Sequence, residues 1–207
     1  MKQNPFVLLT ACLLFISVLS HAQIKQGEKM LGGNISFYSY NDEVKDADNK
    51  YTDSRFNITP QLGFGLANNW VVGIQAGYTS RKETEEDEPE DEEHKNSGFS
   101  VGAFARKFKP FSDNFGIFGQ GSLDFGFEKY ESTDFDGEDK VNSISAQIRP
   151  GLYFLPAKRL IVEATFGQLG YTTWKSTNDE YDDYERKENE FGFSFLDGLS
   201  FGVKFIL

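Results

Sequence analysis

Seven charged residues sit at the polar positions of stretches in which polar and apolar residues alternate: Arg55, Arg106, Asp124, Glu128, Arg149, Glu163 and Lys204. Alternation is the mark of a half-buried strand, whose successive side chains point to opposite faces. By that parity the seven share the face opposite the apolar row. Charges enclosed by protein need partners, because an unpaired one costs several kcal/mol. Register estimated from the centres of the intervening turns sets Asp124 opposite Arg149. It brings Arg149 near Glu163 across residues 156–159 and leaves Lys204 within reach of Glu163. The expectation is an alternating-sign network, Asp124–Arg149–Glu163–Lys204, that packs the interior; a gate or an ion path is the functional alternative.

Other chemistry is thinly supported. Residues 83–93, ETEEDEPEDEE, gather nine carboxylates. They suit divalent cations or a surface ligand, yet lack the spaced pattern and turn glycine of an EF-hand loop. A solvated, self-repelling segment is the simpler reading. The clusters DFDGED and NDEYDDYE mix aromatic rings with acids, and exposed rings can anchor a partner. A nucleophilic serine needs a base held beside it. His94 falls in the acidic connection and no histidine lies on a strand segment, so no such base is in view. No phosphate loop, zinc spacing or dinucleotide fingerprint occurs. The sequence therefore names no catalytic residue, metal site or cofactor, and the protein is read as a non-enzyme.

The elements that must position these residues are strands. Residues 56–66, FNITPQLGFGL, set Phe56, Ile58, Pro60, Leu62, Phe64 and Leu66 on one face and Asn57, Thr59, Gln61, Gly63 and Gly65 on the other. Eight such segments are expected, near 30–40, 54–66, 70–80, 98–108, 115–128, 141–155, 160–174 and 189–207. The 21 Phe, 20 Gly and 9 Tyr agree with strands rather than helices. Long connections (41–53, 81–97, 129–140, 175–188) alternate with short ones (67–69, 109–114, 156–159). Of 32 acidic residues, 25 fall in the long connections, so one end of the molecule is expected to be acidic and the other tight.

Residues 1–22 read as a secretory signal peptide. Lys2 gives the positive start, residues 5–20 the apolar run, and Ser20-His21-Ala22 the small-residue site for cleavage after Ala22. Cys12 follows Leu9-Thr10-Ala11 as in a lipoprotein box, but the apolar run continues past it. The domain is then 23–207, without cysteine and so without a disulfide. A net charge of -11 disfavours nucleic acid. No later stretch is long and apolar enough for a membrane helix, which leaves strands open as a means of crossing.

Alternation alone fits two opposite structures. In a soluble lipocalin-like binder the apolar row faces the core. In a membrane barrel it faces lipid and the polar row lines the lumen. Segregation of long loops from short turns favours the membrane. So does the second row, which is Gly, Ser, Gln, Asn and Thr rather than the Lys and Glu of a water-facing surface. Only a closed barrel satisfies every strand edge in hydrocarbon. Aromatics near strand ends (Tyr38, Tyr40, Trp70, Tyr78, Phe115, Phe154, Tyr171, Trp174) suit interface girdles.

With FNITPQLGFGLANNWVVGIQAGY, GFSVGAFARKF, VEATFGQLGY and the terminal LSFGVKFIL, the chain resembles the small eight-stranded outer-membrane barrels of Gram-negative bacteria, the porin-family or OmpA/OmpX-like proteins. The resemblance implies an all-β, eight-stranded antiparallel up-and-down transmembrane β-barrel with four long acidic extracellular loops and short periplasmic turns. It implies an exported cell-envelope protein of the outer membrane with a structural or interaction role, or else a narrow porin for small solutes. Its partners would be outer-membrane lipid and the assembly machinery, with divalent cations or a surface ligand at the acidic loops, and a monomer is expected. Such proteins usually end in an aromatic residue, where this chain has Leu207. No peptidoglycan-binding domain is expected after the barrel.

Overall fold

The computed structural model describes residues 24–207, apart from 45–48, 68, 87–91, 133–138, 179–184 and 196–198. The expected signal peptide with Cys12, and part of the acidic run, lie outside the described residues. The strands are β1 (Lys29–Val44), β2 (Asn49–Gly65), β3 (Trp70–Glu86), β4 (Glu92–Pro110), β5 (Phe115–Ser132), β6 (Asp139–Ala157), β7 (Leu160–Thr165), β8 (Gln168–Asn178), β9 (Glu185–Ser194) and β10 (Ser200–Ile206).

Each strand pairs antiparallel with its chain neighbour from β1 to β6. β7 and β8 both pair with β6 and form one barrel strand broken at Phe166 and Gly167. β9 pairs with β8, β10 with β7, and together they form the eighth strand. β10 pairs with β1, so the sheet closes into an eight-stranded up-and-down antiparallel barrel.

The break in the seventh strand has a local cause. Gly151 faces Thr165 while Ile148 faces Leu169, so one extra residue sits on the seventh strand opposite Pro150. Proline offers no N–H to the ladder, and Gly167 takes a φ of 76°, which favours glycine. The result is a β-bulge. On the eighth strand the pairing ends at Ser194, opposite Gln168, and resumes at Ser200, opposite Thr165.

The apolar row faces outward. Ile58, Phe64, Leu66, Ile74, Phe99, Val101, Phe125, Phe201 and Phe205 are exposed. A belt runs from strand to strand near the outer edge: Phe37 faces Phe56, Ile58 faces Tyr78, Tyr78 faces Phe99, and Phe99 faces Phe127. Tyr78 and Phe99 bring their ring centroids to 5.0 Å. Three expected girdle residues are placed otherwise. Trp174 lines a lumenal cavity. Tyr38 lies beneath the Arg55 guanidinium, and Tyr40 meets Tyr51. All three hold the inward parity of their strands.

The strands outrun their alternating segments at the outer end. Twelve of the 25 acids in the four long connections lie on strand residues. His94, expected in a connection, lies on β4 opposite Glu83. Where both faces of a hairpin meet water the ladder continues, but the apolar alternation that reveals a strand fades. The long connections are thus partly outward extensions of the barrel wall.

Candidate functional site

The lumen is built in layers, and each follows from which small or large residue a strand points inward. At the short-turn end Met30, Val71, Phe104, Phe108, Phe118, Tyr153, Leu155, Ile161 and Ile206 fill the interior as an apolar plug. Phe108 stacks edge-on against Tyr153 with centroids 5.1 Å apart. A wholly polar lining was expected here. The inward parity of β4 carries Phe104 and Phe108, which an outward-apolar rule misses.

Above the plug lies a charged layer. Arg106 on β4 donates from Nη1 to Glu163 Oε2 on β7 at 2.6 Å. Lys204 on β10 also pairs with Glu163 and donates from Nζ to Asn34 Oδ1 at 3.0 Å. All three charged side chains are 2% exposed or less. Arg106 further donates to Gln120 Oε1 at 2.9 Å and to Gln61 Oε1 at 3.1 Å. Gln61 and Gln120 both donate to Gln75 Oε1, at 2.9 and 3.2 Å, and Gln75 donates to Asp124 Oδ1 at 2.6 Å. Two cations and two carboxylates are thereby joined through three glutamine amides. The plug supports this layer directly. The rings of Phe104, Phe108 and Phe118 lie 5.8, 5.5 and 4.4 Å from the guanidinium carbon of Arg106, within cation–π range.

Glycine makes the room. A Cβ on Gly202 would stand 2.7 Å from Glu163 Cγ and 2.9 Å from Asn34 Nδ2. The layer spans the barrel from wall to wall, so it is a floor.

The structure brings together Glu163 and Lys204, as the register estimate required. It does not bring Arg149 to Asp124 in register. Asp124 faces Ser145 and Arg149 faces Gln120, an offset of four residues. The estimate took the centre of a long connection as the register point, and strands that continue unevenly into that connection shift the true centre. Glu163 faces Tyr153, four positions from Arg149 along β6. Arg149 instead donates from Nε to Gln147 Oε1 at 2.9 Å. The residue missing from the expected quartet is Arg106. Its inward parity was legible, but nothing local reveals a partner 57 residues away.

Outward of the floor the lumen opens into two chambers. The larger, of 410 Å³, is lined by Asp124, Glu128, Glu190, Arg149 and Trp174, with Ser, Thr and Gln side chains. The smaller, of 300 Å³, has Arg149 as its single charged lining residue, beside Asn34, Ser36, Asn57, Thr165 and Ser200. At the outer rim Asp53 accepts from Arg55 at 2.6 Å and from Arg81 at 3.1 Å, and these guanidinium groups hold its carboxyl below the usual carboxylate range. Among the described residues no group of three His, Cys, Asp or Glu is arranged to hold a metal ion.

An outward oily wall, an ionic floor and a closing β1–β10 ladder make a membrane barrel. Residues 8–195 match the family model for the outer membrane protein beta-barrel domain. The chain belongs to that family. Among solved structures, the outer membrane protein OprG from Pseudomonas aeruginosa shares the fold at a TM-score of 0.51. It is 11% identical, and the match covers 92% of this chain and 99% of OprG. A major outer membrane protein from Thermus thermophilus matches at a TM-score of 0.45 and 8% identity, over 88% of this chain and 100% of that one. No curated protein matches in sequence.

Proposed function

We propose that this outer-membrane barrel is a non-conducting anchor whose outer half does the binding. The observation that carries this reading is the floor. Arg106, Glu163, Lys204 and three glutamines bond to one another across the lumen, above an apolar plug. Water and ions would have to break those bonds to pass. Eight strands leave an interior that side chains can fill. The reading sets aside the narrow-porin alternative. It keeps the outward chambers, and the acidic outer strands that continue beyond the aromatic belt, as the surface that meets ions, surface polysaccharide or a protein partner.

Purified protein in planar bilayers is expected to give no stable conductance steps. Steady steps that disappear when Phe118 and Phe108 are enlarged to Trp would mark it as a pore and remove the reading. The signal peptide and the family together support residence in the outer membrane. The protein is expected to fractionate with that membrane and to migrate differently on a gel before and after boiling. Calcium titration, read as ordering of the acidic outer hairpins, tests the cation expectation.

A further inference from the structure

The larger chamber carries one sign of charge in excess and has binding groups to spare. Three carboxylates line it, Asp124, Glu128 and Glu190, against the single guanidinium of Arg149. Asp124 is committed to the floor and wall, since Gln75 donates to its Oδ1 at 2.6 Å and Ser122 to its Oδ2 at 2.8 Å. Glu128 receives both Asn96 and Tyr130 on one oxygen, Oε2, which leaves Oε1. Glu190 makes no hydrogen bond or ion pair among the described residues.

Room and an aromatic surface lie beside these acids. Trp174 lines the chamber from β8, and among the described residues no ring or cation packs on its indole. Trp174 faces Ser143, Ser143 faces Gly126, Gly126 faces Ser100, and Ser100 faces Gly77. One large inward residue thus meets a row of small ones, and that row keeps the space clear. A Cβ on Gly126 would collide with Ser143 Oγ, and one on Gly77 with Ser100 Oγ. The volume of 410 Å³ is that of a small-molecule site. The hydroxyls of Thr79, Ser100 and Ser143 line it as neutral hydrogen-bonding partners.

We propose that the larger chamber binds a small hydroxylated organic ammonium ion of the amino-sugar class. The Glu128 and Glu190 carboxylates take the ammonium group, the sugar ring lies against the Trp174 indole, and its hydroxyls meet Thr79, Ser100 and Ser143. A cleft with one sign of charge and low-dielectric walls focuses its field on a counter-ion. A cation near an indole face gains further attraction. A bare metal ion is disfavoured, because among the described residues no group of three His, Cys, Asp or Glu is arranged to hold one. An organic cation spans more space, since its body carries donors from one separate acid to the next. An anion would meet the excess of carboxylates. This inference deepens the outward-binding reading and rests on it. Steady conductance would remove the closed floor and leave amine binding standing, so the two fail separately.

The chain has two tryptophans, Trp70 and Trp174, so Trp70→Phe leaves the chamber's own ring as the reporter. Glucosamine is titrated into this folded full-length variant in neutral detergent, at a pH where its amine is charged. A saturable change in indole fluorescence is expected, with tenfold or greater weakening when Glu128→Gln and Glu190→Gln are added together. N-acetylglucosamine keeps the ring and hydroxyls but loses the charge, and it is expected to bind at least tenfold more weakly. Asp113→Asn, which removes an acid in the short turn between β4 and β5, is expected to leave binding unchanged. Heat-modifiable migration reports that each variant is folded. Should the double Glu variant not fold, the charged sugar against its neutral counterpart decides. An absent or non-saturable change, equal binding by the folded double variant, or equal binding of N-acetylglucosamine would each overturn the proposal. Stronger competition by a glucosamine oligomer than by the monomer would retain it, with a surface polysaccharide as the source.

Discussion

The inner and outer halves of the lumen share one wall and are built in opposite ways. In the inner half the side chains do the closing. Arg106 on β4 reaches across to Glu163 on β7, and Lys204 on β10 joins that carboxylate to Asn34 on β1, so opposite sides of the barrel are tied together. In the outer half the charged groups stay on the wall and leave chambers between them. Among the described residues the β1–β10 ladder runs alongside the inner half, from Met30–Ile206 to Ile35–Phe201. The difference teaches where this protein concentrates its stability. The inner half ties the barrel together, and the outer half keeps open chambers.

The sharpest way to break that contrast is to remove the carboxylate both inner cations share. Glu163→Gln leaves Arg106 and Lys204 enclosed without their counter-charge, and a loss of about 3–5 kcal/mol is expected, as for one partner of a buried pair. Reversible urea unfolding from lipid vesicles measures it. Next in size is Gly202→Ala. Its Cβ would crowd Glu163 Cγ and Asn34 Nδ2, and overpacking of this kind costs about 1–3 kcal/mol. Glu128→Gln, in the outer half, supplies the other arm. Its carboxylate accepts from Asn96 at 3.2 Å and Tyr130 at 3.0 Å beside an open chamber. Loss of these bonds to a group near water is expected to cost about 1 kcal/mol or less. Equal losses at Glu163 and Glu128 would erase the distinction between the halves.

The contrast was only partly legible in the sequence. The outward row, eight barrel strands and the alternation of long and short connections could be read, because period-two patterning is local. The pairing of Glu163 with Lys204 could also be read, since tight turns and a short terminal strand fix register well. Arg106 could be placed inside but not partnered, because its contacts cross the barrel. Asp124 and Arg149 were set opposite each other by a turn centre that the outward strand extensions displaced. The break at Gly167 carried a faint signal, Pro150 on the neighbouring strand.

The smallest expected effect lies furthest out, on the β3–β4 hairpin. Lys82 and Lys95 face each other directly, and like charges so placed are unfavourable. Glu93 relieves them, lying 2.7 Å from Lys82 and also paired with Lys95. The two ammonium groups hold its carboxyl down to about 2, against an ordinary 4.5. A carboxyl depressed in the folded state stabilises fully above its unfolded value, and that contribution is lost as pH falls through the folded one. Between pH 4.5 and 2, amide exchange near Lys82, Glu93 and Lys95 is therefore expected to quicken, while exchange near Arg106 and Glu163 stays slow. Because Glu93 is at the water-facing end, salt at about 1 M is expected to raise its titration point. If instead the floor's amides quicken in step with Glu93, the hairpin and the floor unfold as one unit, and the independence of the outer half is lost.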